Sequence, residues 1–233
     1  MILAVLLLAM AAPALAQEDA VCGYYNPQVP PPLPAVHEAT GDEYFADAVL
    51  VGDSIMESLE MYDLFPTANI VCRSGISPRD ANWRLFPVRG VDHLLNLYEM
   101  VAYYNPAKIY ILLGGNSLDN MNSADSLAIY EKMLDEMIRR FPSCLIYVIA
   151  PPSQVMKALI DQGIPAGRYR NFRDGLLEMA EAKHVYFIDY FAPMVDQNGC
   201  MLEKYDSGDG AHPTKGGLQV LEKLIRTQTV AYQ

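Results

Sequence analysis

The chain has 233 residues, 52% hydrophobic and 19% charged, a composition normal for a globular protein with a full core, and its length fits one domain. Seventeen basic against 28 acidic residues leave a net charge of −11, a surface that repels polyanions and argues against nucleic acid as a partner. Cys22, Cys72, Cys144 and Cys200 are widely spaced with no C-x-x-C pair, which argues against a zinc site.

Residues 1–16 (MILAVLLLAMAAPALA) form an apolar run too short to span a bilayer comfortably, and they end in the A-x-A pattern Ala14-Leu15-Ala16. This predicts a secretory signal peptide, with the departure that no Lys or Arg precedes the run, which leaves an uncleaved anchor or a misplaced start codon as the alternatives. The mature chain is then secreted or associated with the cell surface, with no stable membrane span after cleavage. Residues 17–41 contain Gln28-Val29-Pro30-Pro31-Pro32-Leu33-Pro34, which suits neither a helix nor an interior strand and reads as an extended Pro-rich tether. The domain is expected over residues 42–233.

From there apolar strands alternate with helices. Ala48-Val49-Leu50-Val51 stops at Gly52-Asp53-Ser54 and passes into Ile55, Leu59 and Tyr62 at helical spacing: a buried strand, a tight turn and a helix. Ser54 sits at the turn, where free backbone N–H groups and the helix dipole favour negative charge. Asn69 to Arg73 form a second strand, stopped by Ser74-Gly75. An irregular segment over 76–90 holds the sole tryptophan, Trp83, with Arg79, Arg84 and Arg89 nearby. A helix is expected from about Asp92 as its cap, ended by Asn105-Pro106. The third strand, Lys108 to Leu113, stops at Gly114-Gly115-Asn116; a long helix runs from about Ser123 to Phe141 with an apolar stripe. Cys144 to Ala150 is the fourth strand, cut by Pro151-Pro152, and residues 153–167 suit a modest flap with Met156, Leu159 and Ile160. A helix over Tyr169 to Lys183, a fifth strand from His184 to Asp189 and a last helix with Leu218, Leu221, Leu224 and Ile225 complete the domain. Such alternation predicts a three-layer α/β/α sandwich on a parallel sheet, with the site beyond the carboxyl ends of the strands. Cys72 and Cys144 fall in strands as buried thiols, which leaves Cys22 and Cys200 as the accessible pair for a disulfide.

Between the fifth strand and the last helix lies Asp206-Ser207-Gly208-Asp209-Gly210-Ala211-His212-Pro213. Asp209 and His212 are close enough for the carboxylate to hold one ring nitrogen while the other faces a nucleophile. The order then matters: serine after the first strand, glycine after the second, asparagine after the third, acid and histidine after the fifth. One end of one sheet collects a nucleophile, a base with its orienter, and oxyanion donors.

These residues resemble the SGNH hydrolases, also called GDSL esterases and lipases. The first block of that family is similar to Gly52-Asp53-Ser54, the second is represented by Gly75, the third by Gly114-Gly115-Asn116 and the last by Asp209-Gly210-Ala211-His212-Pro213. The likeness covers nearly all of residues 43–230. Ser117 stands where the family often has Asp, and the surroundings of Gly75 vary. The resemblance implies a flavodoxin-like five-stranded parallel sheet of order 2-1-3-4-5. It also implies Ser54 as nucleophile, His212 as general base and Asp209 as its orienter, with the oxyanion held by the backbone N–H of Ser54 and Gly75 and the amide of Asn116. Asp53 is expected to bond backbone around the turn. No cofactor and no metal are implied. Trp83 and Arg84 are candidates for binding a sugar-like or acidic leaving group. The expectation is a secreted serine esterase removing a small acyl group, acetyl by analogy, from a carbohydrate or cell-surface glycan. An O-acyltransferase with the same triad and a lipid esterase are the alternatives, and a non-catalytic glycan-binding module is a third.

Overall fold

The computed structural model describes residues 32–87 and 91–230. Its elements in order are β1 (Ala48–Gly52), α1 (Ser54–Met61), β2 (Asn69–Cys72), α2 (Leu97–Tyr103), β3 (Lys108–Leu112), α3 (Gly115–Leu118), α4 (Ser123–Arg140), β4 (Leu145–Ile149), α5 (Met156–Gln162), α6 (Gly167–Ala182), β5 (Tyr186–Ile188) and α7 (Lys215–Thr227). The strands form one parallel five-stranded sheet of order β2-β1-β3-β4-β5. Continuous apolar runs such as Ala48-Val49-Leu50-Val51 exist because both faces are covered. Val49, Val51, Ile109 and Ile111 pack under α2, α4 and α6, whereas Leu50, Tyr110 and Leu112 pack under α1 and α7. This is the α/β/α sandwich the alternation predicts.

Order and register place the loops. From β1 the chain steps outward to β2 and then crosses back over β1 to β3, so the turns leaving β1 and β3 head for opposite faces and open a crevice between them. Gly52 is level with Cys72 on one side and Leu112 on the other. The turns that carry Ser54, Gly75 and Asn116 therefore leave the sheet at one height.

Several local expectations change. The second helix starts at Leu97, not near Asp92: Asn96 is its cap, accepting from the Glu99 N–H at 3.1 Å while the Glu99 carboxylate accepts from the Asn96 N–H at 2.8 Å. Leu95 is held instead in an antiparallel bridge with Phe86. The segment read as a tether joins the body before Asp42. The Pro32 carbonyl accepts from Phe187 N–H of β5, and His37 and Thr40 donate through their backbone to Thr227 and Arg226. Cys200 is buried, not accessible, because the Asp196 carboxylate accepts its N–H at 3.0 Å and turns it inward, where its Sγ lies 3.7 Å from Met156 Sδ. Cys22, Arg89, the expected signal peptide and the first part of the Pro-rich segment lie outside the described residues. No helix among the described residues is long and apolar enough to cross a membrane.

Candidate active site

The first turn is tight because Gly52 is glycine: a Cβ there would lie 2.8 Å from the Leu112 carbonyl oxygen and against Met56. Asp53 caps α1, its Oδ1 accepting from Ile55 N–H at 3.1 Å, and this sets Ser54 as the first residue of the helix. At that position the backbone N–H is one that the helix does not consume. Gly75 sits at φ +77°, a backbone that favours glycine, with nothing within 4 Å of where a Cβ would be. Gly114, at φ +114°, backs onto the Phe172 ring and starts the short α3 that carries Asn116.

The loop before α7 is closed by an antiparallel bridge between Asp206 and Pro213. Within it Asp206 Oδ1 accepts from the N–H of Gly208 (3.1 Å) and Gly210 (2.8 Å). Asp209 Oδ1 accepts from Ala211 N–H (3.0 Å) and His212 N–H (2.8 Å), so this carboxylate is fixed by backbone before it meets a side chain. Its other oxygen lies 2.6 Å from His212 Nδ1, and His212 Nε2 lies 2.8 Å from Ser54 Oγ. Partial desolvation pushes Asp209 up, but the two backbone donors and the imidazole outweigh it and hold the carboxyl at about 2. The ionised acid requires a proton on Nδ1, which leaves Nε2 to accept from the serine hydroxyl. An oriented imidazole taking the proton of a hydroxyl at a helix start is the arrangement that acyl transfer needs.

Asn116 is brought to the same place with a difference. Both hydrogens of its amide are engaged, toward Ile76 O at 2.9 Å and Asp53 Oδ2 at 3.2 Å, so an oxyanion would recruit it by taking over one of these bonds. Asp53 is buried beneath the site. Burial pushes its carboxyl up to about 6, against the Ile55 N–H and the nearby His212 imidazole.

Ser54, Asn116 and His212 line a cleft of about 150 Å³, completed by Asp119, Ser153 and Gln154 among others. Sequence reasoning missed these last three. Asp119 follows α3 while Ser153 and Gln154 lie in the loop between β4 and α5, and the three carry no motif spacing; Pro151-Pro152 just before Ser153 was the nearest signal. Trp83 and Arg84 do not reach the cleft. Trp83 is 58% exposed with the Arg84 guanidinium 6.0 Å from its ring, because Leu97 N–H donates to the Ala81 carbonyl and draws this loop toward α2. The expected flap is helix α5, which leans on the histidine loop: Val155 N–H donates to Gly210 O at 2.9 Å, Leu159 is buried and Ile160 is exposed.

With this geometry in place, the model of the GDSL-like lipase/acylhydrolase family matches residues 50–220, which contain all the residues named above around Ser54. The chain belongs to that family. It is accordingly a hydrolase acting on esters, of SGNH type. Solved structures of other proteins share this fold. A GDSL-like lipase from Bacteroides thetaiotaomicron is 19% identical with a TM-score of 0.59, covering 80% of this chain and 89% of its own. A lipase/acylhydrolase from Enterococcus faecalis is 18% identical with a TM-score of 0.57, covering 79% and 99%. A carbohydrate esterase family 3 structure from Talaromyces cellulolyticus is 15% identical with a TM-score of 0.56, covering 76% and 93%. At these identities the likeness is one of fold. No curated protein matches the sequence.

Proposed function

We propose that this GDSL family member is a secreted serine esterase that removes a small acyl group, acetyl first, from a carbohydrate or cell-surface glycan. The observation that carries the chemistry is the unbroken chain Ser54 Oγ, His212 Nε2, His212 Nδ1, Asp209 Oδ2, at 2.8 and 2.6 Å, on the wall of the cleft. Ser54 Oγ attacks the ester carbonyl carbon and its proton passes to His212 Nε2. The oxyanion is held by the backbone N–H of Ser54 and Gly75 and by Asn116, donors worth roughly 10²–10³ in rate each. Collapse breaks the bond to the alcohol, which leaves with the proton from His212. Water then attacks the acyl-enzyme by the same route, and Ser54 recovers its proton.

Size supports a short acyl group. The cleft of about 150 Å³ is smaller than the roughly 300–1,000 Å³ of pockets that enclose larger ligands. The fold neighbour named as a carbohydrate esterase supports a sugar ester, and residues 1–16 with Ala14-Leu15-Ala16 support secretion. The test is hydrolysis of p-nitrophenyl acetate, butyrate and octanoate by the chain from Gln17, with Ser54→Ala alongside. Activity should fall with acyl length and drop about 10³-fold or more in Ser54→Ala. Rates that rise with length make it a lipid esterase; no hydrolysis of any ester sinks the proposal.

A further inference from the structure

Beyond Ser54, Asn116 and His212 the lining of the cleft is mixed: Ile55, Pro151 and Pro152 are apolar, but one wall, built from Asp119, Ser153 and Gln154, is polar where an acyl chain would need it apolar. Gln154 is buried and fully spent: its Nε2 donates to Asp119 Oδ1 at 2.8 Å and to the Tyr169 hydroxyl at 3.1 Å, and its Oε1 accepts from Gln162 at 2.8 Å. The Tyr169 hydroxyl donates in turn to Asp119 Oδ1 at 3.3 Å. One oxygen of Asp119 therefore takes two donors, while the other, Oδ2, takes none from the described residues. Ser153 on the same wall is 1% exposed, and its Oγ has no hydrogen-bond partner among the described residues.

Burial raises the Asp119 carboxyl above its ordinary range, against Tyr169, Gln154 and Arg168, so an added donor at Oδ2 relieves a cost already present. An apolar group seated here would leave that oxygen and the Ser153 hydroxyl dry and unpaired. A second anion would meet like charge. Neutral hydroxyl groups satisfy both.

We propose that Asp119 and Ser153 read hydroxyl groups of the acylated alcohol, which makes esters of uncharged sugars or polyols the substrate class. This rests on Ser54 attacking the ester in this cleft.

The experiment is a specificity ratio in the full chain: kcat/KM for an acetylated methyl glycoside with free neighbouring hydroxyls, divided by kcat/KM for the corresponding deoxy acetate. The ratio cancels the concentration of folded enzyme and stays readable in a variant that folds poorly. In Asp119→Ala it should fall about 10- to 100-fold, the size of a hydrogen bond to a charged group. Ser153→Ala should lower it about 3- to 10-fold, and Asp119→Asn less than Asp119→Ala, since the amide carbonyl still accepts. A wild-type ratio near one, or a ratio unchanged in Asp119→Ala, overturns the proposal and leaves Asp119 as a strut for Gln154. Failure of wild type on both esters, or survival of activity in Ser54→Ala, overturns the reading of Ser54 instead.

Discussion

Asp53 holds two positions at once. Its Oδ1 caps α1 beneath Ser54, and its Oδ2 accepts from the Asn116 amide, so one buried carboxyl braces both the Ser54 turn and the Asn116 side chain. The folded state binds its proton more tightly than the unfolded chain, since its carboxyl sits at about 6 against an ordinary value near 4. Ionising it therefore costs stability as pH rises from about 4 to about 6, in total about 3 kcal/mol, and the full cost is present at pH 7. In Asp53→Asn that dependence disappears. Urea unfolding of both proteins should show the variant gaining about 3 kcal/mol on wild type between pH 4 and pH 7. A difference that stays constant with pH would mean that Asp53 does not titrate there. The same substitution turns an amide N–H toward Asn116 in place of an acceptor, and kcat should fall about 10- to 100-fold. Asp209 has the opposite sign. Held at about 2, it stays ionised through the working range, and its contribution to stability is lost only as pH falls through that value.

At the scale of elements, the histidine loop depends on α5. Gly210 has φ +87°, and a Cβ there would lie 2.8 Å from Ala158 Cβ on α5, so both its conformation and its space require glycine. Gly210→Ala should push the loop off Ser54 and lower kcat about 100-fold, with about 1–3 kcal/mol of lost stability, and Ala158→Gly should restore part of the rate by returning the space. Wild-type kcat in Gly210→Ala would show that α5 does not set the loop. None of this was legible from D-x-x-H alone. The strands were legible because runs such as Ile109-Tyr110-Ile111-Leu112 are buried on both faces, a pattern that only a covered parallel sheet satisfies. The meeting of Ser54, His212 and Asp209 was legible because the three follow strand ends in order. The start of α2 was misplaced at Asp92, although Asn96 and Glu99 carried a readable capping box. The polar wall of Asp119, Ser153, Gln154 and Tyr169 was not legible, because nothing in sequence spacing records that a loop after β3, a loop after β4 and the start of α6 meet at one cleft.

Across the whole molecule, chemistry and cohesion sit at opposite ends of the sheet. The site occupies the carboxyl ends of the strands. α7 runs back from His212 to the other end, where Arg226, with its side chain 14% exposed, ties several segments together. It donates to Asp42 and to the Leu64 carbonyl at 2.7 Å each, to the Thr40 carbonyl at 3.2 Å and to Glu222 at 3.0 Å. Its guanidinium also lies 5.4 and 4.7 Å from the Phe45 and Phe65 ring centres. This anchor accounts for the docking of residues 32–41, whose backbone runs beside Arg226 and Thr227 and whose Pro32 bonds the otherwise open edge of β5. An edge strand covered in this way is shielded from pairing with another chain. Arg226→Ala leaves Asp42 and Glu222 without their cation and removes several charge-assisted hydrogen bonds. The expected loss is about 3 kcal/mol, or a Tm lower by about 6–12 °C. Because Asp209, His212 and Ser54 are held by β1, α1, α5 and their own loop, kcat at 25 °C should stay within about twofold of wild type. A Tm scan and a steady-state assay on the same preparation decide it: a fall in kcat that tracks the fall in Tm would mean that the two ends of the sheet are coupled, and that chemistry and cohesion are not separate.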